Sequence, residues 1–183
     1  ATGAWSSLSA AAKVRQYRTM GEFVACRWGA DEFIDFSSAA RTGAFDVANL
    51  KFSSEITDAL GVDPALFPSP VPVGTPVGRL NAPTAARLNL SVDVQLVAGC
   101  HDQAASYIGV GGRPAAVSAF SLGSSDCLTV GTTIRPAGFL GTGFASYPLR
   151  EGAWVTLAGT AAGGWALEWL SGLLGAAEAW QVH

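Results

Sequence analysis

The sequence predicts an α/β protein of one ordinary domain or two small ones, and three observations support this class. A short apolar run that ends in glycine, "VDVQLVAG" at residues 92–99, precedes the helix-like segment "DQAASYI". Segments rich in β-branched and aromatic residues fill much of residues 115–160. A broad apolar helical pattern then begins at Gly163. Charged residues are only 14% of the chain, against about 25% in a typical domain, so much of it should be buried.

The composition also argues against several classes of protein. The net charge is −3 and there is no run of Lys or Arg, so we expect no nucleic-acid partner. No uncharged apolar run reaches the ~20 residues of a membrane span, and the N-terminus lacks the basic start of a secretory signal, so we expect a cytoplasmic protein. The three cysteines form no CxxC pair, which indicates reduced thiols rather than a disulfide framework or a metal site.

The first elements are predicted to be short. A mixed helical and turn pattern predicts a helix near residues 8–19. Asp35 stands before two serines, and a turn at residues 41–43 leads into an apolar-polar alternation that ends at Phe52.

A capped helix and a proline-rich connector follow. Ser53 or Ser54 is predicted to cap the helix and Gly61 to end it, with Ile56, Ala59 and Leu60 on one apolar face. Residues 63–83 contain six prolines, which remove donors and fix φ, so we expect an extended connector or an edge strand there. Residues 84–90 add one or two helical turns.

The second half of the chain changes character at residues 112–114, which we take as the domain boundary. Before it, residues 92–99 predict a buried strand. After it, residues 115–134 predict a β-hairpin around a Gly-Ser-Ser-Asp turn, and residues 151–160 a third strand. The helix that starts at Gly163 is predicted to be mostly buried on those strands. Its apolar face consists of Trp165, Trp169, Leu170, Leu173, Leu174 and Ala177.

A polar cluster stands where the strand at residues 92–99 ends, a place where α/β sheets commonly bind ligands. The Asp102 carboxylate can accept a proton from a substrate hydroxyl, and general-base catalysis of this kind is worth roughly 10²–10⁴-fold in rate. Gln103 has one acceptor and two donors, which suits recognition of sugar or polyol hydroxyls. On the local pattern alone Asp102 is more often a helix N-cap, and both roles stay open. His101 and Cys100 are expected to pack rather than react.

The hairpin turn is the second candidate site. Gly123 allows a close approach of the backbone, and Ser124 and Ser125 offer hydroxyls and amides that can hold a phosphate. A plain tight turn is the alternative, because small polar residues are common in turns.

Six stretches taken together resemble the middle of an FGGY-family carbohydrate kinase. They are "DFSSAARTGAFDV", "SSEITDALGVDPALFP", "GTPVGRL", "QLVAGCHDQAASYIGVGG", "AAVSAFSLGSSDCLTV" and "GTAAGGWALEWL". Their order and spacing make the match more specific than any one of them. The resemblance implies a ribonuclease-H-like fold of the actin/hexokinase ATPase type, with parts of two domains meeting at a cleft. Residues 1–113 then correspond to the C-terminal part of the first, sugar-binding domain, and residues 114–183 to the start of the second, ATP-binding domain.

The resemblance also implies an enzyme of carbohydrate metabolism. Such a kinase transfers the γ-phosphoryl group of ATP, with Mg²⁺, to a hydroxyl of a sugar, ketose or polyol. Asp102 matches the family's catalytic base and Gln103 its neighbouring substrate contact. Gly123, Ser124 and Ser125 match its second phosphate-binding turn. No protein residue is assigned to the metal, the particular sugar is not readable, and homodimerisation is left open.

Departures from the family pattern keep alternatives open. Ser124 replaces the usual Thr of the turn, and Asp126 adds a negative charge that can weaken nucleotide binding or help to hold the metal. The N-terminal Asp-Gly-Thr loop and the later Gly-Gly adenosine loop are not found, so we expect a partial chain. A non-catalytic sugar-binding or regulatory module on a kinase-like scaffold, or an inactive fragment, is the alternative function.

Overall fold

The computed structural model describes residues 14–139 and 141–175. The chain divides into two compact units. The first runs up to His101 and includes Tyr147–Glu151, and the second comprises Asp102–Ser146 and the residues from Gly152 onward.

The first unit is built from short helices and two-stranded sheets. Its order is α1 (Met20–Trp28), β1 (Ile34–Asp35), α2 (Phe36–Ala40), β2 (Phe45–Asp46), β3 (Lys51–Phe52), α3 (Ser54–Leu60), a 3₁₀ turn (Pro64–Leu66), β4 (Pro70–Val71), β5 (Pro76–Arg79), α4 (Ala82–Leu88) and β6 (Gln95–Val97). Strands β1 and β4 pair in parallel, whereas β2 with β3 and β5 with β6 are antiparallel.

Two apolar clusters form the core of this unit. One contains Ile34, Phe36, Ala39 and Phe45, and the other contains Phe33, Val77 and Ala98. Because Phe33 and Ile34 are neighbours in an extended segment, their side chains point to opposite sides and join different clusters. The backbone that leads into α2 is therefore held from both sides.

The helix predicted near residues 8–19 is wrong in its described part, and residues 8–13 lie outside the described residues. Residues 14–19 have no helical structure, and α1 begins only at Met20. The Tyr17 amide donates to the Leu66 carbonyl at 2.6 Å. That long-range bond holds the segment against another part of the unit, which a local pattern does not show.

The capped helix is confirmed as α3. The Ser53 side chain accepts a hydrogen bond from the Ile56 amide, and Gly61 ends the helix in the left-handed conformation with φ of 64°. The turn at residues 41–43 also forms. The predicted apolar face of α3 is exposed, however, and Thr57 is the buried residue of this helix.

The proline-rich segment contains short strands of two-stranded sheets, as an edge position predicts. Helix α4 follows, with the Asn81 side chain accepting from the Thr84 amide at 3.0 Å. Strand β6 is confirmed as a strand, but the prediction that it is buried is wrong. Within the described residues β6 pairs only with β5, and Val97 is exposed.

The second unit contains helix α5, a β-hairpin and helix α6. Its elements are α5 (Asp102–Gly109), β7 (Ala119–Leu122), β8 (Asp126–Thr132), a 3₁₀ turn (Ala137–Phe139), β10 (Ala153–Thr160) and α6 (Gly164–Leu173). Strand β9 (Ala145–Arg150) precedes β10 along the chain, and its residues from Tyr147 onward are assigned to the first unit. The sheet order is β7-β8-β10-β9. The hairpin and the strand near residues 151–160 are confirmed. Strand β9 was not predicted, because it contains Pro148 and proline is disfavoured within a strand. The structure places β9 at the edge of the sheet, where a proline is compatible with strand structure.

The prediction that α6 is mostly buried is wrong for the described residues. Trp165, Trp169 and Leu173 are 64%, 68% and 67% exposed, and Ala177 lies outside the described part. The start of α6 is hydrogen-bonded to the hairpin turn. Among these residues, too, we find no helix with the length and apolarity needed to cross a membrane.

Candidate active site

Asp102 is the first residue of α5, and its side chain is exposed. Its Oδ1 accepts a hydrogen bond from the Gln103 amide at 2.7 Å. The carboxylate therefore lies at a helix N-terminus, where the helix dipole favours a negative charge. As the first helical residue, Asp102 thus combines a place at the helix start with an exposed side chain.

Helix α5 is fixed by the buried side of its first two turns. Ala104 and Tyr107 are buried, and the helix packs against β7 and β8. The Tyr107 ring lies directly over Gly131 of β8, where an added Cβ would be 2.7 Å from the ring carbon that bears the hydroxyl. Close packing of a ring on glycine sets the position of α5, and with it that of Asp102 and the half-buried Gln103.

The residue before Asp102 is tied to the N-terminus of α2. The His101 amide donates to Ser37 Oγ at 2.8 Å, and the Ser37 hydroxyl donates in turn to Asp35 Oδ1. The same carboxylate oxygen accepts from the Ser37 amide at 2.9 Å and from the Ser38 amide at 3.1 Å. Ser37 was not among the predicted functional residues. An Asp followed by two serines indicates a helix cap, but nothing in the sequence indicates the bond to His101.

The ring of His101 packs against a buried tyrosine. Tyr147 Oη lies 3.1 Å from His101 Nδ1, and the two rings meet edge to face with centroids 5.9 Å apart. This is a packing environment, as the sequence analysis expected for His101.

Two further titratable groups lie near Asp35. Burial, followed by the negative charge of Asp35, raises the pKa of the Cys100 thiol to about 11. The same two causes, in the same order, raise the pKa of the buried Glu22 carboxyl. Cys100 is therefore a protonated thiol at neutral pH and a poor nucleophile.

The hairpin turn of Gly123, Ser124 and Ser125 joins β7 to β8 and is bonded to the start of α6. The Gly164 amide donates to the Gly123 carbonyl at 2.7 Å, and the Trp165 amide to the Ser124 carbonyl at 3.4 Å. All three turn residues are exposed. The serine hydroxyls and the backbone of this turn, which carries only small side chains, suit contact with phosphate oxygens.

Asp126 follows this turn and packs against Gly163. A Cβ on Gly163 would lie 2.9 Å from the Asp126 amide and would overlap its carboxylate. The Asp126 side chain is therefore held between the turn and the start of α6. A carboxylate at that place repels phosphate directly and attracts a cation.

The structure thus forms two groups of the predicted site residues. Asp102 and Gln103 are adjacent on the first turn of α5, and Gly123, Ser124 and Ser125 are adjacent in the hairpin turn. Both groups belong to the second compact unit.

A family model for the N-terminal domain of the FGGY family of carbohydrate kinases matches residues 7–109. The chain belongs to the FGGY family of carbohydrate kinases.

Several curated proteins are similar to this chain. A xylulose kinase of Streptomyces rubiginosus is 32% identical over 141 residues, which are 77% of this chain and 28% of that protein. A xylulose kinase of Lactococcus lactis is 34% identical over 93 residues, 51% of this chain and 19% of that protein. An L-fuculokinase of Escherichia coli K12 is 30% identical over 95 residues, 52% of this chain and 18% of that protein. The chain therefore spans well under a third of these relatives.

Solved structures show the fold. A xylulose kinase from Brucella ovis superposes with a TM-score of 0.82 at 24% identity, covering 94% of this chain and 36% of that one. A xylulose kinase from Rhodospirillum rubrum gives 0.80 at 20% identity, covering 91% of this chain and 34% of that one. The predicted ribonuclease-H-like fold of the actin/hexokinase type is confirmed.

Proposed function

We propose that the protein containing this chain is an ATP-dependent kinase that phosphorylates a hydroxyl of a sugar, ketose or polyol. The observation that carries this proposal is an exposed carboxylate, Asp102, oriented at the start of α5 in a chain of the FGGY family. The similarity to proteins named xylulose kinase and L-fuculokinase supports a sugar substrate.

In this proposal Asp102 is the general base and contacts the substrate. Its carboxylate accepts the proton of the attacking hydroxyl, which leaves the oxygen a stronger nucleophile toward phosphorus. Gln103 follows on the same helical turn, where its amide can donate to one neighbouring hydroxyl and accept from another. Phosphoryl transfer depends mainly on alignment and charge neutralisation, so a rigid helix start is a suitable position for the base.

Gly123, Ser124 and Ser125 are proposed to hold a phosphate of the nucleotide. Their exposed hydroxyls and backbone fit phosphate oxygens, and bound ATP with Mg²⁺ would supply the phosphoryl group and neutralise its charge. Mg²⁺ usually takes one or two protein carboxylates and completes its shell with phosphate and water. Asp126 is the carboxylate of this turn that could take that part.

We further assign residues 1–113 to the C-terminal part of the sugar-binding domain and residues 114–183 to the start of the ATP-binding domain. The family match, which ends at residue 109, supports the first assignment. A cytoplasmic location is part of the same proposal, because three unpaired thiols suit a reducing compartment.

The test is the pair Asp102→Asn and Asp102→Ala in the whole protein, assayed for ATP-dependent phosphorylation of a panel of pentuloses, hexuloses and polyols. We expect kcat to fall by roughly 10²–10⁴-fold in both variants, because each lacks the base. Asp58→Asn, an exposed carboxylate on α3, is the matched control and should behave as wild type.

Two outcomes would contradict the proposal. Retention of activity within about two-fold in Asp102→Asn would remove the base assignment, since loss of a working base costs far more than that. Calorimetry that shows sugar binding without ATP binding by the wild-type protein would instead identify a non-catalytic sugar-binding module.

A further inference from the structure

The backbone just before Asp102 is anchored at two points by buried side chains of other segments. Ser37 Oγ accepts from the His101 amide at 2.8 Å, and Tyr147 Oη meets His101 Nδ1 at 3.1 Å. Ser37 is fully buried and Tyr147 nearly so. Both the amide and the ring of His101, the residue directly before α5, are therefore held.

We propose that Ser37 and Tyr147 are positioning residues for Asp102, the next residue along the chain. The inference rests on the proposed role of Asp102 as general base. Neither residue needs to touch the substrate. Each acts through His101, and the effect is to hold the carboxylate in the alignment that proton transfer needs.

The Ser37 hydroxyl is held in one orientation. It donates to Asp35 Oδ1 and accepts from the His101 amide, so its rotation is locked by two partners. Asp35 is itself buried, and its Oδ1 also accepts from the Ser37 and Ser38 amides. A hydrogen-bond chain in a buried, low-dielectric site is stiff, because each bond polarises the next and none exchanges easily with water.

The anchoring of His101 would affect the catalytic rate, because the rate depends strongly on the alignment of the base. A displacement of ~1 Å in a reacting group can lower the rate by roughly 10²-fold. Without the Ser37 hydroxyl the His101 amide loses its acceptor, and the peptide before Asp102 gains freedom. The expected signature is a lower kcat with an unchanged sugar KM.

The first measurement does not depend on catalysis. Amide hydrogen exchange at His101 is followed in the whole protein as wild type, Ser37→Ala and Ser38→Ala. Ser38 is the matched control, because it bonds to Asp35 through its backbone amide, which alanine keeps. We expect exchange at His101 to accelerate by about ten-fold or more in Ser37→Ala alone, as loss of one buried hydrogen bond implies. Equal exchange in all three proteins would overturn the anchor.

The second measurement is steady-state kinetics on the same proteins. Ser37→Ala should lower kcat by about ten-fold, as loss of one aligning hydrogen bond implies, with sugar KM within about two-fold. Ser38→Ala should match wild type. Asp35→Asn should retain more kcat than Asp35→Ala, because the amide oxygen of asparagine still accepts from Ser37. Unchanged kcat in Ser37→Ala, despite faster exchange at His101, would overturn the positioning role.

Two further outcomes are distinguishable. If Ser37→Ala does not fold, Tyr147→Phe decides, since it removes only the hydroxyl at His101. A kcat equal to wild type there would overturn the proposal. If the wild-type protein phosphorylates no sugar, the proposed function fails and the positioning role fails with it. An active wild type with unaffected variants removes the positioning role alone.

Discussion

At the residue scale, Asp35 and Glu22 show what a buried carboxyl does in this protein. Asp35 caps α2 through the amides of Ser37 and Ser38. Because those donors are two and three positions ahead, the pattern of an Asp before two serines already suggests the cap. Glu22 is 3% exposed, and among the described residues its Oε2 has no hydrogen-bond partner. Only the fold brings it near Asp35, whose charge adds to burial in raising the pKa of Glu22.

This environment predicts a pH-dependent stability that Glu22→Gln removes. The pKa of Glu22 in the folded protein lies above its ordinary value of 4.5. The stability that this carboxyl contributes is therefore fully present below pH 4.5 and is lost as pH rises through the folded pKa. Glutamine does not titrate. We therefore expect the urea midpoint of Glu22→Gln, relative to wild type, to increase as pH rises above 4.5.

Glu55→Gln, an exposed residue of α3, is the control for that experiment and should follow the wild-type pH profile. Parallel pH profiles for Glu22→Gln and wild type would show that burial does not shift the titration of Glu22.

At the element scale, the hairpin turn and the start of α6 form one structural unit. The Gly164 amide donates to the Gly123 carbonyl, and Asp126 lies against Gly163. The sequence predicts the turn and the helix start separately. It does not show that each needs the other, because the contact joins two segments separated by three strands. Small residues on both sides are what permit the approach.

Gly163→Ala tests this contact. The added Cβ would overlap the Asp126 carboxylate, so the turn or the helix start must shift, and we expect a loss of about 1–3 kcal/mol in the free energy of unfolding. Urea denaturation of the whole protein measures it. Gly172→Ala is the matched control on the same helix, where the Cβ meets no atom within 4 Å and alanine should stabilise by about 0.5–1 kcal/mol. Equal effects of the two substitutions would contradict the contact.

At the scale of the whole molecule, the largest apolar side chains of α6 are unburied. Trp165, Trp169 and Leu173 line an open cavity of about 530 Å³ together with Glu168 and Gly172. Soluble monomers rarely expose contiguous apolar patches larger than a few hundred Å². The described part of α6 therefore presents an exposed apolar face.

The isolated 183-residue chain is accordingly expected to bind the dye ANS strongly. The double substitution Trp165→Gln/Trp169→Gln should lower the ANS fluorescence and raise the solubility limit, because it removes the two largest exposed rings of α6. Trp28→Gln is the control, an exposed tryptophan outside that helix. The same fluorescence in both variants would show that the α6 face is not the dye-binding surface.

The accuracy of the predictions depended on how local each feature is. The cap and stop of α3, the hairpin and the helix start at Gly163 were predictable because residues a few positions apart determine them. The extended course of residues 14–19 was not, since it depends on a bond from Tyr17 to Leu66. Strand β9 was missed because Pro148 obscures its pattern. The burial of β6 and α6 was overestimated. An apolar pattern shows that one face of an element favours burial, but it does not show which residues cover that face.

The sequence by itself determined the family and the fold class, because motifs and turns depend on residues that are neighbours in the chain. For the same reason it determined the candidate residues, which are Asp102, Gln103, Gly123, Ser124 and Ser125. The tertiary structure alone decided the long-range contacts beside the two groups of candidate residues. The bond from His101 to Ser37, the ring of Tyr107 on Gly131 and the contact of Asp126 with Gly163 each join residues far apart in the chain. Contacts between distant segments arise from packing, and one chain's local pattern does not encode which segments meet.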